Sequence, residues 1–192
     1  MKEIYEAYAN TWRSVGAKEI ALQIDNLKID ICKDPSPVSS HMKRDLDIAL
    51  KNATHFPKLQ QLLITHGDKL TWAQSNFEMP DTFVGKFDVV RLAGPTGMVH
   101  NTEIAFGFYL QQADAAYPSH WHEAVEDYLV VSGTGLWQTD DDAFHPRPPG
   151  SYIQHASNQP HAMTTQSEPL LAMWFWQGNI DTSTYRIVGV DY

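Results

Sequence analysis

Two histidines and a carboxylate with short, regular spacing are the part of the sequence best suited to chemistry. His120 and His122 lie two positions apart, so on a β-strand both side chains project from the same face. If the chain turns through residues 123–125, the next strand returns Glu126 toward the same point. Imidazole nitrogens and carboxylate oxygens are ligands for divalent transition metals. The spacing therefore predicts a metal site on a β-hairpin.

A second segment, further along the chain, offers another ligand. Residues 149–161 begin with a Pro-Gly pair, continue as a short strand and end with a Pro-His pair. Either His155 or His161 could complete a site of three nitrogen ligands and one oxygen ligand. Such a mixed set suits Fe, Mn, Zn, Co or Ni and disfavours ions that prefer thiolates.

Both segments resemble the two motifs of the cupin family. The run from His120 to Gly133 fits the first motif, G-x5-H-x-H-x3,4-E-x6-G, except that Asp114 replaces the leading glycine. Residues 149–161 resemble the second motif, in which a Pro-Gly turn opens a strand and a Pro-His pair closes it. In that pattern the ligand follows a proline, eleven residues after the turn glycine. His161 meets both conditions and His155 meets neither, so His155 is interpreted as a residue of a loop or one that supports a ligand.

More narrowly, the chain is similar to the bacterial cupin dimethylsulfoniopropionate lyases. The similarity lies in Tyr117, the His-x-His pair, the Glu-x-Tyr step that ends at Tyr128, and residues 155–163. The resemblance implies a mainly β fold, a cupin-type β-barrel or jelly roll with an N-terminal α-helical extension. It also implies a carbon–sulfur lyase that cleaves dimethylsulfoniopropionate by β-elimination into dimethyl sulfide and acrylate.

The resemblance further implies how the metal is held and used. The implied ligands of one divalent transition metal are His120, His122, Glu126 and His161. The metal would bind the carboxylate of the substrate and stabilise the enolate-like charge that develops when the α proton leaves.

Aromatic residues near the implied metal site supply the other expected roles. Tyr128 is the expected base, because a nearby divalent cation favours the phenolate over a phenol of ordinary pKa near 10. A role of Tyr128 as a ligand of the metal, alone or in addition, stays open. Tyr117 is a second candidate base or a substrate contact. Trp174 and Trp176 share one face of a late strand and are expected to surround the sulfonium group by cation–π contacts. Plain packing in a β core is the alternative interpretation of Tyr128 and of both tryptophans.

Charge and cysteine content narrow the range of partners. The chain has 192 residues and a net charge of −9, and residues 81–192 contain the whole of this excess. No basic surface for nucleic acid is expected, and an acidic half disfavours anionic membranes while accepting a cationic ligand. Cys32 is the only cysteine, and no apolar run approaches the ~18 residues of a membrane helix. A cytoplasmic protein acting on a small zwitterionic sulfonium substrate is expected.

The first third of the chain is predicted to be helical. Residues 2–22 place Tyr5, Tyr8 and Trp12 at helical spacing, which predicts an amphipathic helix with a buried aromatic face. A helix that covers the barrel mouth is the alternative. Further helices are predicted from a serine cap at residue 39 or 40 to about residue 53 and from residue 57 to residue 67, with a short turn of helix at residues 70–74.

Beyond Pro80 the sequence becomes rich in short strands separated by glycine and proline. Strands are predicted near residues 83–92, 103–112, 120, 126–131, 135–139, 151–154, 162–165, 170–177 and 185–190. Residues 1–80 are therefore expected to form the helical extension and residues 81–192 the cupin β-barrel domain, within one folding unit.

Other functions fit the same ligands. A cupin dioxygenase would use them to bind iron and would consume oxygen. A sugar isomerase would need a more polar cavity than these aromatic residues offer. A non-catalytic small-molecule sensor would be attached to a DNA-binding or signalling segment, and the first third has no basic recognition helix. The oligomeric state stays open, with a homodimer as one alternative.

Overall fold

The N-terminal third is helical, as predicted. The structure is a computed structural model and describes residues 1–30, 40–73 and 77–190. Within these ranges the helices are α1 (Lys2–Ser14), α2 (Lys18–Asp25), α3 (Ser40–Asn52) and α4 (Pro57–His66). Cys32 and Ser39, one of the two predicted cap residues of α3, fall outside what the structure describes, and Ser40 is the first residue of the helix. None of the described helices combines the length and the apolar character needed to cross a bilayer.

The prediction of one continuous helix over residues 2–22 is wrong. Gly16 adopts a φ of +89°, in the left-handed region that interrupts a right-handed helix, and the chain restarts as α2 at Lys18. The predicted helical turn at residues 70–74 is also wrong. Trp72 and Ala73 are extended there, because they pair with Val90 and Val89 at the edge of a sheet.

The rest of the described chain forms two β-sheets. Its strands are β1 (Trp72–Ala73), β2 (Phe87–Gly94), β3 (Val99–His100), β4 (Ile104–Gln111), β5 (Ala116–Trp121), β6 (Ala124–Ser132), β7 (Gly135–Thr139), β8 (His145–Arg147), β9 (Tyr152–His155), β10 (His161–Thr165), β11 (Leu170–Gly178) and β12 (Arg186–Ile187). The larger sheet has the order β1-β2-β4-β11-β6-β9, with β3 paired to β2. The smaller sheet has the order β12-β5-β10-β7-β8. The predicted mainly β architecture with a helical N-terminal region is confirmed.

The larger sheet is buried on both faces, because its strands alternate between two cores. On β6, Leu129 and Val131 belong to the core that includes the helices, whereas Tyr128 and Val130 belong to the core between the two sheets. On β11, Phe175 lies in the helix-side core. Trp174 and Trp176 lie together on the opposite face of β11, in the core between the sheets, as predicted from the sequence.

Helix α1 is fixed to the outer face of the larger sheet by its aromatic residues. Tyr8 donates hydrogen bonds from its hydroxyl to the carbonyls of Gly107 (2.8 Å) and Trp174 (2.6 Å). Tyr5 donates to the carbonyl of Leu92 (2.8 Å). These contacts support the prediction of a buried aromatic face over that of a lid. They also hold the backbone of β11, whose opposite face lines the cavity described below.

Candidate metal centre

Four side chains from both sheets meet at one end of the barrel. His120 lies on β5, His122 directly follows β5, and His161 is the first residue of β10. The strands β5 and β10 are neighbours, and His161 lies opposite His120. Glu126 reaches the same place from β6, in the facing sheet. The turn between the first two ligand strands is shorter than predicted, since β6 already begins at Ala124.

The ligand atoms of these residues are close together and shielded from water. Nε2 of His161 lies 3.0 Å from Oε2 of Glu126, and Nε2 of His122 lies 3.1 Å from the same oxygen. Ligand atoms of His120, Glu126 and His161 all lie within 4.8 Å of one another. All four side chains are buried. The arrangement brings together the residues that the sequence predicted as metal ligands.

The other ring nitrogen of each histidine is held by the backbone. Nδ1 lies within hydrogen-bond distance of a nearby carbonyl in every case: Pro118 for His120 (2.9 Å), Ala124 for His122 (3.1 Å) and Gln159 for His161 (2.9 Å). A carbonyl oxygen only accepts, so Nδ1 is the protonated nitrogen and the lone pair of a neutral ring is on Nε2. In each ring the lone pair on Nε2 is therefore available to bind a cation, and His122 joins the group of His120, Glu126 and His161 through its contact with Glu126.

This arrangement requires a positive charge between its members. Neutral Nε2 atoms and an ionised carboxylate are all hydrogen-bond acceptors, and buried acceptors that face each other are costly without a cation or a proton between them. Burial lowers the pKa of His120 well below its ordinary value, which favours the neutral ligand form. Burial opposes ionisation of Glu126, but hydrogen bonds and positive charge from the side of His122 and His161 hold the pKa of this carboxyl well below the usual range, and a cation between these residues would act in the same direction. The donor set fits a divalent metal ion.

Each of the three imidazoles packs against a second ring. The ring centroids are 4.1 Å apart for His120 and Tyr117, 4.2 Å for His122 and Trp176, and 4.0 Å for His161 and His155. In addition, Nε1 of Trp176 donates a hydrogen bond of 2.6 Å to Oε1 of Glu126. These contacts limit the rotation of the proposed ligands.

A cavity of about 440 Å³ opens beside this cluster. Its lining includes four residues that are expected to contact substrate or to act in catalysis: Tyr117, Tyr128, Trp174 and Trp176. Burial, and next the negative charge of Glu126, raise the pKa of Tyr128 well above its ordinary value. Tyr128 is therefore a neutral phenol unless a cation lies beside it.

Comparison with known proteins assigns the chain to a family. The sequence model of the dimethylsulfoniopropionate lyase family matches residues 12–172. The chain belongs to this family. The assignment agrees with the resemblance seen in the sequence motifs.

Two relatives that the chain matches are distant in sequence. A proposed dimethylsulfoniopropionate lyase, DddL, of Cereibacter sphaeroides is 28% identical over 144 residues, which cover 74% of this chain and 60% of DddL. The match thus spans less than two thirds of that relative's length. The dimethylsulfoniopropionate lyase DddQ of Ruegeria pomeroyi is 24% identical over 149 residues, which cover 77% of this chain and 73% of DddQ.

Comparison of structures supports the fold. A crystal structure from a study of the dimethylsulfoniopropionate lyases RdDddP and RnDddQII matches with a TM-score of 0.75 and 24% identity, covering 97% of this chain and 96% of the other. With the two-sheet barrel of the present structure, this match confirms the predicted cupin-type fold with its helical N-terminal region.

Of the two interpretations of His155, the loop is wrong, whereas a residue that supports a ligand agrees with the stacking of its ring on His161. His155 is the last residue of β9, where it pairs with Glu126 of β6, and it is fully buried. Within the described part of the chain, neither of its ring nitrogens has a hydrogen-bond partner. Burial, followed by the charge of His161, lowers its pKa to about 3, so the ring that stacks on His161 is neutral.

Other residues of the site were missed by sequence reasoning. Tyr185 lines the cavity, shares a hydrogen bond with the hydroxyl of Tyr117 and stacks on Phe77. It reaches the site because the following strand, β12, pairs with β5 beside His120. Arg91 of β2 also lines the cavity. No local sequence pattern indicates either residue, since long-range strand pairing brings both to the site.

Proposed function

We propose that the protein is a metal-dependent carbon–sulfur lyase that cleaves dimethylsulfoniopropionate into dimethyl sulfide and acrylate. The observation that supports this most strongly is the cluster of His120, Glu126 and His161, joined by Nε2 of His122 at Oε2 of Glu126, beside an aromatic cavity. Membership of the dimethylsulfoniopropionate lyase family supports the choice of reaction.

His120, His122, Glu126 and His161 would hold the metal. Three nitrogen ligands and one oxygen ligand suit one divalent ion of Fe, Mn, Zn, Co or Ni. When bound, such an ion supplies a Lewis acid that stabilises the negative charge growing on the substrate carboxylate as the α proton leaves. The backbone carbonyls at Nδ1 and the rings packed on each imidazole would keep the ligands oriented.

Tyr128 is the proposed base. It lies two residues beyond Glu126 on the same face of β6, and it lines the cavity. The phenolate takes the α proton, the C–H electron pair forms the double bond of acrylate, and the carbon–sulfur bond breaks with its electrons going to sulfur. Dimethyl sulfide leaves as a neutral molecule, so the leaving group needs no acid.

Tyr117 has two proposed roles, as a second candidate base or as a substrate contact. Its ring stacks on His120, and its hydroxyl forms a hydrogen bond with the hydroxyl of Tyr185. The hydroxyl pair gives a proton a route between two phenols at the cavity wall.

Trp174 and Trp176 are proposed to surround the sulfonium group. Both line the cavity, and both indole N–H groups already donate a hydrogen bond. Trp174 donates to the carbonyl oxygen of Phe108 (3.2 Å), and Trp176 donates to Oε1 of Glu126 (2.6 Å). The indoles are thus held in place, and a cation over an aromatic face gains roughly 0.5–2 kcal/mol.

The setting proposed from the sequence is a bacterial cytoplasm, which the single cysteine favours.

The decisive experiment is headspace gas analysis of metal-loaded protein mixed with dimethylsulfoniopropionate under nitrogen. We expect dimethyl sulfide and acrylate in a one-to-one ratio, and no product after chelation of the metal. Product formation that requires oxygen would favour a dioxygenase, and absence of dimethyl sulfide with every metal of the set would contradict the proposal.

A further inference from the structure

Arg91 is a charged residue on an otherwise apolar face of β2. Its neighbours on that face, Phe87 and Val89, belong to the core between the sheets. The other residues of β2 are buried, whereas Arg91 is half-buried and lines the cavity. A guanidinium at this position therefore has its accessible part in the space where a substrate would bind.

The pairing of the strands places Arg91 in the same row of the sheet as the proposed catalytic residues. Arg91 pairs with Gly107 of β4, Gly107 with Trp174 of β11, and Trp174 with Tyr128 of β6. Gly107 has no side chain, so β4 contributes none between Arg91 and Trp174 in this row. Three strand spacings of about 4.8 Å separate the backbones of Arg91 and Tyr128, a gap that two long side chains and a small molecule can fill.

Among the described residues, Arg91 is the only lysine or arginine that lines the cavity. The other basic residues beyond residue 80 are Lys86, Arg147 and Arg186. Burial lowers the pKa of Arg91, and the nearby Tyr117 partly opposes this effect. An arginine in a protein nevertheless stays charged, so Arg91 presents a positive charge to an anion that enters the cavity.

The chemistry of a guanidinium identifies which anion fits. Its planar fork of N–H donors matches the two oxygens of a carboxylate, and such bidentate contacts are stronger than neutral hydrogen bonds. We propose that Arg91 contacts the carboxylate of the substrate together with the metal of the proposed function, and that it makes the cavity selective for carboxylates even when the metal is absent. This inference rests on the proposed function in taking the cavity as the substrate site.

Binding to the metal-free full-length chain tests the inference separately from catalysis. The probe is propionate, with propionamide as its uncharged analogue, and the measurement is calorimetric titration after chelation. We expect wild type to bind propionate more tightly than propionamide, and Arg91→Met to weaken propionate binding roughly 10- to 100-fold. Arg91→Lys should retain part of the affinity, since it keeps the charge and loses the fork.

Lys86→Met is the matched control, because it removes one positive charge next to β2 from a side chain outside the cavity lining. Its propionate affinity should equal that of wild type. Equal affinity of wild type and Arg91→Met, equal binding of propionate and propionamide, or no propionate binding by wild type would each overturn the inference. Circular dichroism and urea unfolding confirm that the variants compared are folded.

The metal-loaded enzyme separates this inference from the proposed function. With dimethylsulfoniopropionate, Arg91→Lys should raise KM by roughly 10-fold or more with a smaller change in kcat. Propionate binding that depends on Arg91, in a protein that releases no dimethyl sulfide, would contradict the lyase and support the inference. Release of dimethyl sulfide with an unchanged KM in Arg91→Met would support the lyase and contradict the inference.

Discussion

At the scale of single residues, the proposed ligands depend on how each imidazole is held at its second nitrogen. The backbone carbonyls at Nδ1 fix which nitrogen faces Glu126. The spacing of His120, His122 and Glu126 was predictable from sequence, because the two-residue period of a strand is a local property. Tyr185 and Arg91 were not predictable, because their positions depend on pairing between distant strands.

The role of the phenol is tested by Tyr128→Phe. Removal of a general base lowers rates by about 10²–10⁴-fold, so we expect a loss of kcat of this size with unchanged metal content. The measurement is dimethyl sulfide release together with elemental analysis of the protein. Tyr152→Phe is the control, since Tyr152 on β9 donates to Asp127 and does not line the cavity. Full activity of Tyr128→Phe would remove this residue from the role of base.

Trp176→Phe tests whether the hydrogen bond from the indole of Trp176 supports Glu126 as a metal ligand. The variant keeps a ring beside His122 but loses the indole donor to Oε1 of Glu126. Loss of such a partner of a metal ligand weakens metal binding by ~10- to 100-fold, and titration with a metal indicator measures the change. Trp174→Phe is the matched control, because its indole donates to Phe108 rather than to a ligand. Equal metal affinity in both variants would show that the indole donor does not support the site.

At the scale of elements, alternation along the strands was predictable and their junctions were not. Tyr128 and Trp174 face the cavity as their parity predicted. The errors lie at Gly16, where the first helix is interrupted, and at His155, which continues a strand where a loop was expected. At Gly16 the glycine itself is a local signal that the prediction of one continuous helix did not use, because it permits the left-handed backbone. At His155 the backbone follows pairing with β6, which the local sequence does not specify.

Gly133, the last glycine of the first cupin-like motif, tests how tightly the turn between β6 and β7 packs against the segment that precedes β11. Its φ is +76°, and a Cβ there would lie 2.2 Å from the carbonyl oxygen of Pro169. We expect Gly133→Ala to lose roughly 1–2 kcal/mol of unfolding free energy for the left-handed backbone and a further roughly 1–3 kcal/mol for the clash. The measurement is urea denaturation.

Gly16→Ala is the matched control for Gly133→Ala. Gly16 has a similar positive φ of +89°, but a Cβ at this position would have no other atom within 4 Å among the described residues. Gly16→Ala should therefore lose only the roughly 1–2 kcal/mol of unfolding free energy that the left-handed backbone costs. A loss of stability in Gly133→Ala no larger than in Gly16→Ala would contradict the argument from close packing.

At the scale of the whole molecule, the helices and the barrel share one core. Residues of α1 to α4 and the outer face of the larger sheet form a continuous apolar cluster. We propose on this basis that residues 1–80 and 81–192 unfold together as one unit. The proposed ligands join the two sheets of the barrel, so metal binding should stabilise the entire fold.

Metal loading tests this link between site and fold. A ligand that binds only the folded state at 100 times its Kd adds about 2.7 kcal/mol of stability. We therefore expect a single thermal transition whose Tm rises with metal concentration in wild type and does not rise in His122→Ala. Calorimetry measures both properties. Two separate transitions would contradict the single folding unit, and an equal rise in His122→Ala would contradict the site.

The central claim is that three imidazoles and one carboxylate from two facing sheets bind a single cation. Anomalous X-ray scattering from crystals of the metal-loaded protein, measured at the absorption edge of the metal, tests it most directly. We expect one strong peak per chain, about 2.0–2.2 Å from Nε2 of each histidine and from a carboxylate oxygen of the glutamate. A peak elsewhere, or no peak in crystals whose protein retains the metal by elemental analysis, would contradict it.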